Sequence, residues 1–259
     1  MKKLLIRTFA FLTGNSLGQR FLGCTVFVAN YFRGMGSGSA VHTSGELAVL
    51  KILVKGAMVF DVGANIGNFA EEVLRSDPTV RLHCFEPSWA TFARLQAKVT
   101  SPMVQLNHFG LGADDSEMTL YSDGDASGLA SLSQRKIALT GVVLTAKETV
   151  RIRRLSDYCR EKGIDRIDLL KIDVEGHEMS VLEGAREMLS SRRIGMVMFE
   201  FGGCNIDSRT FFRDFHEFFT GLRAARMWRL TPSGWMQSIE GYDEGLECFT
   251  TANYVVQFD

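Results

Sequence analysis

From Met58 onward, short apolar runs alternate with segments whose apolar residues return every three or four positions. The runs Met58–Val62, Leu82–Phe85, Val104–Leu106, Ile167–Ile172 and Met196–Phe201 predict five strands. Asn68–Arg75, Trp89–Val99 and Met179–Leu189 repeat at helical spacing, the last with Val181, Leu182, Ala185, Met188 and Leu189 on one stripe. Strands alternating with helices predict a doubly wound α/β fold, its sheet mainly parallel and covered on both faces. Two later runs, Met227–Leu230 and Ala252–Phe258, are expected to close the sheet as an antiparallel pair.

Two stretches depart from this rhythm. Phe211, Phe212, Phe215, Phe218, Phe219 and Leu222 recur at helical spacing and read as core. Met118–Arg153 carries strand-like alternation around Gly124, Gly128 and Gly141, the pattern of an inserted hairpin or lid, expected to shape the substrate pocket. The chain is expected to divide into an N-terminal extension, residues 1–40, helical or partly flexible, and one domain, residues 41–259. Arg33–Ser39, with Gly34, Gly36 and Gly38, is the expected flexible joint.

The extension begins like a signal peptide, with Lys2-Lys3 before Leu4-Leu5-Ile6, but Arg7 and Thr8 interrupt it too early. Phe21-Leu22-Gly23-Cys24 loosely resembles a lipoprotein cleavage site, yet Gln19 and Arg20 fall where an unbroken apolar stretch is required. The apolar run from Phe21 to Phe32, bounded by Arg20 and Arg33, is too short to span a bilayer. It fits a docking helix, a partner surface or a weak membrane contact.

Composition narrows the function classes. Of 259 residues, 46% are apolar and 23% charged, and 29 Lys and Arg against 30 Asp and Glu leave a net charge of −1. No broad positive field gathers nucleic acid or anionic lipid, so the substrate is expected in a pocket. The five cysteines (Cys24, Cys84, Cys159, Cys204, Cys248) are scattered, with no Cys-x-x-Cys pair. That argues against a disulfide framework or a cysteine-bound metal and fits a reducing, cytoplasmic setting. Cys84 and Cys248 sit in apolar runs and read as small core residues.

A doubly wound sheet binds ligands at the carboxyl ends of its strands, so the turn after the first strand is the place to search. There the chain reads Asp61-Val62-Gly63-Ala64-Asn65-Ile66-Gly67-Asn68. Gly63 and Gly67 let backbone approach a ligand, and Asn65 tolerates positive φ. Asp61 suits an ammonium group. Asn65 stands where the dinucleotide fingerprint needs its second glycine, which disfavours a nicotinamide cofactor. Glu86, in Phe85-Glu86-Pro87, lies 25 residues beyond Asp61 and can accept both hydroxyls of a ribose. Gly110 and Gly112, after the third strand, expose backbone that binds an adenine edge or merely forms a turn.

The fourth strand ends in Lys171-Ile172-Asp173-Val174-Glu175-Gly176-His177-Glu178, five ionisable side chains beside the expected cofactor. At this point the sequence resembles the FkbM family of S-adenosylmethionine-dependent methyltransferases. The likeness rests on the first turn, on Phe85-Glu86-Pro87 and on the Lys171–Glu178 segment, in the same order and spacing. It runs from about Ser44 to Val256 and includes Leu182-Glu183-Gly184-Ala185 and Asn253-Tyr254.

The resemblance implies a Rossmann-like class I methyltransferase sheet, S-adenosylmethionine as cofactor, and O-methylation of a hydroxyl on a small molecule, often a sugar, glycan or secondary metabolite. The expected cofactor-binding residues are Asp61, Gly63, Asn65, Gly67, Asn68, Glu86, Pro87 and Gly112. His177 is the first candidate for the base that takes the hydroxyl proton, because its ordinary pKa near 6.5 suits transfer at neutral pH. A plain helix-start role for it stays open. Asp173 would orient the acceptor or the cofactor's amino end. Glu200 would touch substrate, act as a second acid or base, or form a structural salt bridge. No metal is assigned, although Asp173, Glu175 and Glu178 offer oxygens that a hard cation prefers.

Two other readings compete. Tyr158 and Lys162 have the Tyr-x-x-x-Lys spacing of short-chain reductases, but they precede the fourth strand and lack the glycine turn. A non-catalytic protein could keep the fold for interaction alone. The ionisable residues around the fourth strand count against that.

Overall fold

The structure is a computed structural model describing residues 9–11, 13–38, 40–124, 127–135, 143–222 and 225–258. The signal-peptide-like residues Lys2 to Thr8, Ser39 of the expected joint and Gly141 of the expected insert lie outside the described residues.

Every residue of Met58–Val62, strand β1, is buried. Its place requires this, because β1 has parallel neighbours on both sides, Arg81–Phe85 (β2) and Ile167–Ile172 (β7). Val104–Asn107 (β3) continues the sheet beyond β2, and Ile194–Phe201 (β8) continues it beyond β7. Three C-terminal strands follow, Ala225–Leu230 (β9), Met236–Ile239 (β10) and Ala252–Phe258 (β11). The order is β10-β9-β11-β8-β7-β1-β2-β3, with β11 antiparallel to β8. The expected closing pair is thus a three-stranded antiparallel end, because β10 turns back on β9 through residues 231–235.

Alternation along the strands sorts the core onto two faces. Phe60, Val62, Leu170, Ile172, Val197 and Phe199 pack on one side. They meet the helices Leu155–Lys162 (α5), Glu178–Gly184 (α6), Arg186–Ser190 (α7) and Phe212–Leu222 (α9), with Phe212, Phe215 and Phe219 fully buried. Val59, Leu169, Met196 and Met198 face the other side, against Asn68–Ser76 (α3), Trp89–Lys98 (α4) and the short Leu47–Leu50 (α2). The segment expected as one helix over Met179–Leu189 is two, α6 and α7, broken at Ala185. The break follows Gly184, where a Cβ would lie 2.0 Å from the Gly112 carbonyl oxygen, so the turn packs where a side chain could not.

Gly110–Gly112 (β4), Ser116–Ser122 (β5) and Ala146–Arg154 (β6) form a separate sheet in the order β4-β6-β5. Strands β5 and β6 pair antiparallel from Ser116–Ile152 to Ser122–Ala146, the expected inserted hairpin, while β4 pairs β6 in parallel. Cys204–Ser208 (α8) follows β8 directly.

Ser16–Phe32 forms a helix, α1, none of whose residues is buried. The glycine segment after it is packed against the sheet: Met35, Ser37 and Gly38 are buried, and the Gly36 and Gly38 amides donate to the Thr251 carbonyl at 2.8 and 3.3 Å. It is therefore a fitted strap where the sequence suggests a loose joint. Cys84 is buried as expected, but Cys248 is only half-buried, because it lies in the loop before β11 instead of in the strand.

Candidate active site

The sheet reverses its winding between β1 and β7, and a cavity of about 570 Å³ opens there, at the carboxyl ends of the strands. Its two rims are built from different chemistry.

On the first rim, Gly63, Asn65 and Gly67 have φ of 81°, 48° and 88°. A Cβ on Gly63 would lie 1.8 Å from the Asp173 carbonyl oxygen, so glycine alone lets the turns after β1 and β7 close on each other. Asn65 Oδ1 accepts the Ile66 N–H at 2.7 Å, a local bond that helps asparagine hold its left-handed conformation. Glu86, just beyond β2, accepts the Asn65 N–H at 3.0 Å through Oε2 and the Ser88 N–H at 2.9 Å through Oε1. Burial pushes its carboxyl up to about 7, against the pull of those two amides. Gly63, Asn65, Asn68, Glu86 and Pro87 all line the cavity, and the Asn68 side-chain oxygen also accepts from Lys98 at 2.6 Å.

On the second rim, carboxylates crowd. Asp61 and Lys171 are direct neighbours across β1 and β7, and Lys171 Nζ lies 3.2 Å from Asp61 Oδ1 and 3.4 Å from Asp173 Oδ2. Burial opposes the charge on Lys171, but Asp61, Asp173 and Glu46 outweigh it and hold the ammonium above the usual lysine range. Asp61 itself is wholly buried behind the cavity wall and does not line it; burial raises its carboxyl, and Lys171 pulls it back. Asp173, Glu175, His177 and Glu200 do line the cavity.

Glu175, with φ of 52°, pairs with Arg135 of the insert, and its carbonyl accepts the Ser131 hydroxyl at 2.7 Å. Burial, reinforced by Asp173, raises its carboxyl to about 8. Glu200 is nearly buried, and its carboxyl has neither a hydrogen bond nor an ion pair among the described residues. Burial raises its carboxyl well above the usual range, and Asp173, Glu175 and Glu178 raise it further.

Glu178 is a loop brace. Its Oε1 accepts the Val174 and Gly176 N–H groups at 3.2 and 3.0 Å, and Oε2 accepts from Asn205 at 3.3 Å. Glu178 is thus engaged by the loop and does not gather with Asp173 and Glu175 among the described residues. Among the described residues, Glu175, Glu200 and Cys204 bring candidate ligand atoms within 4.8 Å of one another.

His177 touches the cavity, but its Nε2 is buried without a partner, and a Cβ built on Gly112 would lie 3.0 Å from it. Burial lowers its pKa to about 4, so the ring is neutral at neutral pH and a weak base. Gly67 and Gly112 do not line the cavity. Gly67 gives room to Leu95 and Val99 at the start of α3, and Gly112 packs against Ile152 and His177. Gly110 and Leu111 take the lining place expected of Gly112. Tyr158 lies in the core, its hydroxyl bonded to Asn107 at 3.1 Å and His83 at 2.7 Å, so it forms no reductase pair with Lys162.

Two contributions escaped sequence reasoning. Glu46, buried just before α2, accepts from Asn253 at 2.8 Å and adds its charge to the cluster around Lys171; burial lifts its carboxyl to about 7. Arg135 comes from the insert, where nothing in the local pattern marks it as a partner for Glu175. The signal that could have flagged Lys171 is a lysine inside an otherwise buried apolar strand.

Residues 61–225 match the family model described as the Methyltransferase FkbM domain. The chain is similar to the 2-O-methyltransferase NoeI of Sinorhizobium fredii, 31% identical, with 52% of this chain and 60% of that one covered. It is similar to the 31-O-demethyl-FK506 methyltransferase FkbM of Streptomyces tacrolimicus at 34% identity, covering 51% and 60%. The hexuronic acid methyltransferase AglP of Haloferax volcanii is 28% identical, covering 57% and 59%. The chain thus spans about three fifths of the length of these curated relatives. Among solved structures, the methyltransferase FkbM of Methylobacillus flagellatus superposes with a TM-score of 0.51 at 16% identity, covering 87% of this chain and 49% of that one, a likeness of fold.

Proposed function

The chain belongs to the FkbM methyltransferase family, and on that premise we propose that it transfers the methyl group of S-adenosylmethionine to a hydroxyl oxygen of a sugar, glycan or secondary metabolite. The charge of the cavity carries this reading. Its walls present Glu86, Asp173, Glu175 and Glu200 against Lys171 and Arg135, and those two cations are already engaged by Asp61, Asp173 and Glu175. A ligand bearing an ammonium and a sulfonium suits such walls and favours the ionised form of their carboxyls, whereas a pyrophosphate would meet acidic side chains and cations that are already engaged.

When bound, S-adenosylmethionine supplies a methyl group on sulfur that is open to in-line displacement. The chain's own residues do the rest. Glu86, fixed by two backbone amides, accepts ribose hydroxyls; the Gly63–Asn68 turn gives close backbone approach; Asp173, partly exposed beside Lys171, receives the ammonium. Leu120, Leu129 and Leu132 of the insert form an apolar wall for the acceptor.

For the proton of the hydroxyl, Glu200 is the stronger base. Its carboxyl faces the cavity, a bound ammonium and sulfonium favour its ionised form, and burial raises its proton affinity, whereas burial weakens His177. The oxygen acceptor follows the relatives, whose names specify 2-O-, 31-O- and hexuronic acid methylation.

The test is transfer of labelled methyl from S-adenosylmethionine to a panel of neutral hexoses, uronic acids and macrocyclic alcohols. Glu200→Gln is expected to lose activity by about 100-fold or more, and His177→Ala by less than about tenfold. The reverse ranking moves the base to His177, and transfer only to nitrogen or carbon acceptors overturns the oxygen assignment.

A further inference from the structure

The charges along the chain are unevenly distributed. Residues 1–45 contain Lys2, Lys3, Arg7, Arg20 and Arg33 and no acidic residue, so all 30 Asp and Glu fall in the remainder. Helix α1 lies in this basic segment and buries none of its side chains. Leu17, Phe21, Phe27 and Phe32 are 77, 71, 68 and 68% exposed. At about 100° per residue, Leu17, Phe21, Cys24, Val28 and Phe32 fall on one arc, while Ser16, Gln19, Arg20, Gly23 and Asn30 fall opposite or at its edge, together with the apolar Leu22, Val26 and Phe27.

The helix is anchored to the body. Arg229 Nε donates to the Arg33 carbonyl at 2.9 Å, and a Cβ on Gly34 would lie 1.9 Å from the Leu230 carbonyl oxygen. Trp235, 69% exposed on the β9–β10 turn, shares a surface groove with Phe32 and Arg33. An exposed apolar helix flanked by arginines and joined by an exposed tryptophan is the arrangement that suits a membrane–water boundary. None of the described helices is long and apolar enough to cross a membrane.

We propose that α1 docks the protein on an anionic lipid surface, lying in the plane of the interface. Its apolar arc enters the headgroup–acyl boundary, while Arg20 and Arg33 meet the lipid phosphates. A second copy is the weaker occupant: α1 spans fewer than three heptads, and in a pair of these segments basic residues would face basic residues with no acidic partner. This inference does not depend on the methyl-transfer reading.

The full chain is floated with vesicles of phosphatidylcholine alone and of phosphatidylcholine with roughly one third phosphatidylglycerol. Binding to the anionic vesicles should exceed binding to the neutral ones by about tenfold or more and weaken with salt. Phe21→Asp with Val28→Asp should abolish it while leaving the melting temperature and circular dichroism unchanged, since both side chains are exposed. Absence from both vesicle fractions, equal binding to both, or equal binding by the double variant overturns the proposal. So does a dimer in sedimentation that the double variant dissolves while neither form binds vesicles, which assigns the surface to a second copy.

Discussion

The two rims of the cavity hold carboxylates in opposite ways. At the β1–β2 rim, Glu86 takes two backbone N–H groups from the turns it joins, so its position is fixed by the fold. At the β7–β8 rim, Asp173, Glu175 and Glu200 crowd together with Asp61 and Glu46 behind them, and Lys171 and Arg135 are their cationic partners among the described residues. The first rim is ordered by geometry, the second by charge. Substitutions on the first should therefore act through shape, and those on the second through electrostatics.

The largest effect is expected at Lys171. Lys171→Met leaves Asp61 buried without its cation, and removing one member of a buried pair costs about 3–5 kcal/mol. Urea unfolding measures this, and Asp61→Asn in the same chain should restore much of the loss. No recovery would mean that the pair is not the unit of stability.

Next comes Gly63→Ala, a change of shape alone. Its Cβ would meet the Asp173 carbonyl at 1.8 Å in a left-handed backbone, for an expected loss of about 3 kcal/mol. A loss that depended strongly on salt would put charge at the first rim and blur the distinction.

The smaller effect is on pH. In the folded chain the carboxyls of Glu46, Glu86, Glu175 and Glu178 titrate at about 7, 7, 8 and 6, against an ordinary value of 4.5. Between 4.5 and those values the native state holds more protons than the unfolded chain, so stability falls as pH rises. His177, lowered to about 4 from 6.5, acts in the opposite direction below pH 6.5 and contributes nothing above it. The melting temperature should therefore decline between pH 6.5 and 8, and saturating S-adenosylmethionine should flatten the decline by placing cations among the carboxylates. A melting temperature that rises across this window would contradict the charge account.

The division between the rims also explains what the sequence could reveal. Periodicity located the five parallel strands because buried strands are nearly continuous apolar runs. The Gly63–Asn68 turn and Glu86 were readable because glycine and a strand-end acid have local meaning. Asp61 reads as a cofactor ligand from the sequence because nothing in a linear reading shows Lys171, 110 residues away, opposite it on the neighbouring strand. Glu46 and Arg135 reach the site from segments with no motif, and His177 was favoured for an ordinary pKa that burial removes. Charge compensation is a property of the folded neighbourhood, and it was the part least visible beforehand.

The central claim is that this cavity holds S-adenosylmethionine, and the most direct measurement is calorimetric titration of the full chain with that ligand and, separately, with NAD. Saturable binding of S-adenosylmethionine is expected, weakened about tenfold by Glu86→Ala, as loss of a carboxylate hydrogen bond predicts, with no binding of NAD. Preferential binding of NAD, or no binding of S-adenosylmethionine by the folded protein, would contradict the account.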